Sequence, residues 1–142
     1  MKKTILAAII ALATLNSCQQ QSNNDASQLK NLSEEAIQVH DEIMPQIAHF
    51  DRATLKIDSI LENLGSIAKK DNTLDTAIVK SELETLKQNL ESATDNMMTW
   101  MRDYAPDSTD VAYQKAEIKK VKAMKKQFED VSLESNTKLG KF

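Results

Sequence analysis

Leu29–Phe50 reads L-K-N-L-S-E-E-A-I-Q-V-H-D-E-I-M-P-Q-I-A-H-F. Leu29, Leu32, Ala36, Val39, Ile43, Ile47 and Phe50 recur at steps of three and four. That period gathers side chains onto one side of an α-helix. The stripe continues through Thr54, Ile57, Leu61, Leu64 and Ala68, with Glu34, Glu35, Asp51, Arg52 and Lys56 on the other side. Asp25, with Gln28 three residues on, offers a capping-box start. Pro45 removes a backbone donor and crowds the carbonyl four residues back, which predicts a kink or break near Asp41–Met44. Gly65 can end this helix, or it runs on to Lys69 and Lys70, whose charges suit a C-terminus.

Two further helices follow. Asp71-Asn72-Thr73 reads as a cap. Leu74, Ile78, Ser81, Leu86, Leu90, Ala93, Met97, Trp100 and Tyr104 form the next stripe. Ala105-Pro106-Asp107-Ser108 stops it, because Pro106 pushes Ala105 out of helical geometry. The third helix is expected from about Thr109 to about Leu139, with a looser stripe of Tyr113, Ala116, Ile118, Val121, Met124, Phe128, Val131 and Leu139. Two glycines, two prolines and few aromatics in 142 residues agree with long helices. The fold class is all-α: an antiparallel up-down-up three-helix bundle, its first helix kinked near Pro45. The alternative is an extended coiled coil that completes itself as a homodimer, which the near-heptad first stripe allows.

The N-terminus carries an address. Lys2 and Lys3 precede an apolar run, Ile5–Leu15, and then Leu15-Asn16-Ser17-Cys18. A charged start, a short apolar segment and small residues make a secretory signal; the run falls short of the ~20 residues that span a bilayer. Leu15-Asn16-Ser17-Cys18 resembles the bacterial lipobox, in which the cysteine is lipidated and becomes the first mature residue. Cys18 is the only cysteine, so no disulfide can form within the chain. Gln19 after it, by resemblance to enteric sorting rules, implies the outer membrane. The domain plan is a signal peptide at residues 1–17, a polar tether over 18–25 after lipidated Cys18, and a helical bundle over 26–142. Gln19–Asn24, Q-Q-Q-S-N-N, has nothing to bury and is expected to be flexible. Removing Lys2 and Lys3 from 18 basic residues leaves 16 against 21 acidic, a net charge of −5. That balance argues against a nucleic-acid partner.

Two stretches stand out from the helical background: His40-Asp41-Glu42-Ile43-Met44-Pro45 and Asn96-Met97-Met98-Thr99-Trp100-Met101. Antiparallel helices joined by a short turn pair so that residue numbers sum to a constant. A turn centred near residues 69–71 gives a sum of about 140 from the equal rise of both helices. His40 and Met44 then come level with Met97, Trp100 and Met101, and the second turn brings Tyr113 and Ala116 to the same level. The two stretches together resemble a signature of small Bacteroidota-type envelope lipoproteins, sometimes labelled viral A-type inclusion proteins. The resemblance implies a helical lipoprotein and brings no activity with it.

Methionine and aromatic residues at helical spacing ordinarily build a core. The leading functional expectation is therefore a non-catalytic interaction or structural module at the membrane surface, with an envelope protein as partner. The sharper expectation is a soft-metal site. His40, Met44, Met97 and Met101 supply imidazole and thioether ligands suited to copper(I), and Trp100 can shield a cation with its ring. Enzyme motifs are missing: no H-E-x-x-H, no G-x-S-x-G, no glycine-rich phosphate loop. Lys115, Lys119, Lys120, Lys122, Lys125 and Lys126 read as a solvated face offsetting acidic neighbours, or as a contact for anionic headgroups.

Overall fold

A computed structural model describes the backbone of residues 15–142 and the side chains of residues 25–142. Three helices make up the fold: α1, Leu15–Lys70; α2, Thr76–Asp103; and α3, Val111–Leu139. Each packs on the other two, so the all-α three-helix bundle expected from the periodicity is the observed fold. The first fourteen residues of the signal segment, and the side chain of Cys18, lie outside the described residues.

Long-range contacts fix the register. The His40 and Trp100 rings are neighbours, and Lys87 reaches Asp58, so α1 and α2 run antiparallel with sums near 140–145. Asn89 donates to Glu134 and Asn96 to Gln127, so α2 and α3 are also antiparallel. Glu35 pairs with Lys122, Glu42 with Lys125, Gln46 with Ser132, and Lys56 with the Leu139 carbonyl. Those offsets of 83–87 make α3 parallel to α1, the up-down-up order.

The core is one apolar seam. Ala36, Ile43, Phe50, Ile57 and Leu64 come from α1; Leu83, Leu86, Leu90, Ala93 and Met97 from α2; Ile118, Val121, Phe128, Val131 and Leu139 from α3. Phe50 and Phe128 stack across the middle with centroids 4.7 Å apart and planes 9° from parallel. Burying a large apolar side chain contributes about 1.5–3 kcal/mol, so this seam, more than helix propensity, holds the three rods.

Several boundaries differ from the sequence reading. The helix α1 starts at Leu15, not Asp25, and continues through the Gln19–Asn24 stretch expected to be flexible. Gln is a good helix former, Asn and Ser weaken a helix without stopping it, and no glycine or proline interrupts them. Nor is α1 broken at Pro45. Pro45 is solvent-exposed, so the carbonyl it leaves unbonded can be hydrated. Of the two ends offered by the sequence, the second is the observed one: the helix passes Gly65 and runs to Lys70. Asp71 does not cap α2; its carboxylate accepts from the backbone N–H and hydroxyl of Thr73 in a tight turn. The cap is Asp75, which accepts from the N–H groups of Ala77 and Ile78. Asp110 does the same for α3 through Ala112 and Tyr113. Because α2 starts at Thr76, its buried stripe begins Val79, Leu83, Leu86; Ile78 and Ser81 face solvent.

Candidate functional site

The unusual residues converge where α1, the C-terminal end of α2 and the first turns of α3 meet. The Trp100 ring is 5.9 Å from the His40 imidazole on one side and stacks on Tyr104 at 4.6 Å on the other. Tyr104 continues the ladder to Tyr113 at 6.4 Å. Aromatic pairs at these separations add about 0.5–1.5 kcal/mol beyond burial.

Each ring has a polar atom to place. Trp100 Nε1 donates to Glu117 Oε2 at 2.9 Å, and Lys120 Nζ bonds the other oxygen, Oε1, at 2.6 Å. Glu117 is buried, so both bonds matter to it: an ionised carboxylate away from water needs a paired cation and donors. The same contact raises the Lys120 pKa, and burial raises that of Tyr104, with Tyr113 and Glu117 adding to it. Tyr104 donates to Gln114 Oε1 at 2.9 Å. Gln114 Nε2 lies 3.1–3.2 Å from the carbonyls of Ala105, Pro106 and Ser108. The Tyr113 hydroxyl accepts from the Ala105 N–H. Gln114, fully buried, thus ties the connection between α2 and α3 to the aromatic ladder.

His40 is the exception. Its Nδ1 lies 2.9 Å from Asp41 Oδ1, on the solvent side. A carboxylate only accepts, so the proton sits on Nδ1, and in the neutral ring Nε2 carries the lone pair. Nε2 is buried and has no hydrogen-bond partner; among the described residues it is the one such side-chain atom.

The residues expected around it are placed as follows. Met97 is wholly buried beside Trp100 in sequence, and Met44, one helical turn from His40, is half-buried against the core. Met101 is 39% exposed and Met98 50% exposed. Lys87 on α2 reaches Asp58 of α1, and Glu91 and Thr94 share a groove with Asp51, Thr54 and Leu55. Met98 and Met101 extend that same stripe of α2 at three- and four-residue steps, along its α1 side. Ala116, counted in the α3 stripe, lies near the expected level but is exposed; its neighbour Glu117 is the residue that faces Trp100.

Two grooves flank this end and the middle of the bundle. One, of about 500 Å³, runs between α2 and α3 and is lined by Thr99, Trp100, Tyr113, Glu117, Lys120 and Met124. The other, about 390 Å³ between α1 and α3, is lined in part by Gln46, His49, Phe50, Ser135 and Leu139. The lysines of α3 are largely spoken for: Lys120, Lys122, Lys125 and Lys126 pair with Glu117, Glu35, Glu42 and Asp130. Among the described residues no three of His, Cys, Asp and Glu gather as a metal set, and no helix is long and apolar enough to cross a membrane.

No family model matches the chain, and no curated protein and no solved structure matches it.

Proposed function

We propose that this protein is a non-catalytic interaction module of a bacterial envelope, held to the outer membrane by a lipid on Cys18. The observation that carries the reading is the sole cysteine at the end of Leu15-Asn16-Ser17-Cys18, after a charged and apolar leader. Acyl chains contribute about 0.8 kcal/mol per buried methylene, and two or more hold a protein on a bilayer. The non-catalytic reading is supported by how the buried polar groups are used. Glu117, Gln114, Trp100 and Tyr104 place their hydrogen bonds on one another, on Lys120 and on the α2–α3 connection.

Metabolic labelling of bacterial cells with a clickable fatty acid tests the anchor. The wild-type chain is expected to take up label and sediment with outer-membrane fractions. Cys18→Ser is expected to lose the label and leave the membrane. Label that persists in Cys18→Ser, or a wild-type chain that stays soluble, refutes the proposal.

A further inference from the structure

We infer that the Trp100 end of the bundle is a binding site for one copper(I) ion, with His40 Nε2 and the thioethers of Met44 and Met97 as its ligands. Met101 stands at the rim and the Trp100 ring covers the ion. The site stands apart from the lipid anchor and does not depend on it.

Nε2 of His40 is the unmatched nitrogen. A buried acceptor without a donor is destabilising, and proteins keep few of them. No hydrogen-bond donor reaches it. The indole N–H of the adjacent Trp100 is committed to Glu117 at 2.9 Å. Met44 and Met97 have no donors. Met44, one turn from His40 on α1, and Met97, one turn before Trp100 on α2, bring soft, polarizable electron pairs instead.

The other side of the imidazole supports the same reading. Nδ1 is held by the Asp41 carboxylate at 2.9 Å. A metal-binding histidine commonly gives its remote N–H to a carboxylate, which fixes the tautomer and raises the basicity of the ligating nitrogen. Asp41 is the next residue in the chain and its carboxylate is exposed, so it is a positioning residue rather than a ligand.

The donor set selects the ion. Thioether and imidazole ligands favour copper(I), whereas carboxylates favour hard divalent ions. All the ligands here are neutral, so a monovalent ion adds less buried charge than a divalent one. The Trp100 face, with its centroid 5.9 Å from that of the imidazole, adds attraction for a cation. Position agrees as well. His40 and Met44 are one turn apart on α1, and Met97 precedes Trp100 by one turn on α2.

Trp100 is the only tryptophan, so its emission reports on this site. The test uses the full chain carrying Cys18→Ser, which leaves no thiolate to compete. Copper(I) is titrated without oxygen, following Trp100 emission and competition with a chromogenic copper(I) chelator. Quenching is expected to saturate at one equivalent. His40→Phe, which removes the ligating nitrogen, and the pair Met44→Leu/Met97→Leu, which keeps volume, are each expected to weaken binding at least tenfold, since losing only a ligand's supporting partner already costs about 10–100-fold. Asp41→Asn is expected to weaken it less, and Met98→Leu not at all. Helical circular dichroism and a cooperative melt confirm that each variant folds. Unchanged affinity in folded His40→Phe or in the double leucine variant overturns the inference. So does a wild-type chain that binds no more tightly than those variants. A higher melting temperature for His40→Phe, with copper binding unaltered, would show Nε2 to be a tolerated defect and overturn it equally.

Discussion

The bundle contains two aromatic stacks with nearly the same geometry and very different chemistry. Phe50 and Phe128 lie 4.7 Å apart at 9°; Trp100 and Tyr104 lie 4.6 Å apart at 14°. The phenylalanine pair has no polar atom, so any close-packed apolar surroundings suffice. The Trp100 stack brings with it an indole N–H, two phenol hydroxyls, an amide, a carboxylate and an imidazole. Most of these find partners at 2.6–3.2 Å, and one imidazole nitrogen does not. Mid-bundle packing holds the rods together, and the polar end adds directional hydrogen bonds between α2, α3 and their connection.

The largest effect expected from breaking this contrast is at the phenylalanine pair. Phe128→Ala opens a cavity at a fully buried position and should cost about 3–5 kcal/mol in urea unfolding. A loss under about 1 kcal/mol would mean the stack is not part of the core. At the polar end, Gln114→Leu keeps volume but leaves Tyr104 without its acceptor and three loop carbonyls without their donor. The carbonyls can reach water, so a loss of about 1–3 kcal/mol is expected. Amide exchange should quicken across Ala105–Asp110 and stay slow at Leu86 and Leu90. Uniform quickening would show that Gln114 supports the whole bundle instead of one end.

The smallest effect lies on the surface. A hydrogen bond from Lys125, helped by its charge, holds the Glu42 pKa below its ordinary value of 4.5. A lowered carboxylate pKa stabilises the folded state above the unfolded value and stops doing so as pH falls through the folded one. The melting temperature of Glu42→Gln should therefore sit slightly below wild type at neutral pH and meet it in acid. A gap that widens as pH falls would contradict the pairing.

Much of the fold was legible because the apolar steps of α1 are nearly unbroken. The same arithmetic brought His40 level with Trp100. Two things were not legible, for physical reasons. Counting the α2 stripe from Leu74 carried it to Ile78 and Ser81. Leu74 precedes the helix, so the buried phase starts instead at Val79. Asp71 and Asp75 look alike as caps, and only the backbone shows which one closes a turn and which one opens a helix. The stripe of α3 looked loose because Gln114 and Glu117 are polar. With both included, it runs Gln114, Glu117, Val121, half-buried Met124, Phe128, Val131, Ser135 and Leu139 at steps of three and four. Trp100 and Tyr104 each carry a hydrogen that a buried site must place. That requirement was the signal, in the sequence itself, that polar partners stood opposite.

The length of α1 has a geometric consequence. Its 56 residues extend about 84 Å, while α2 and α3 each extend about half that. With offsets of 83–87, Val111 stands level with residues 24–28 of α1. The Ala105–Asp110 connection therefore sits at the pole from which the stalk departs, Asp71–Asp75 crowns the opposite pole, and Phe142 ends short of it, level with residues 55–59 of α1. A lipid on Cys18 would orient the particle so that its indole-bearing pole looks down on the bilayer and its carboxyl terminus points outward.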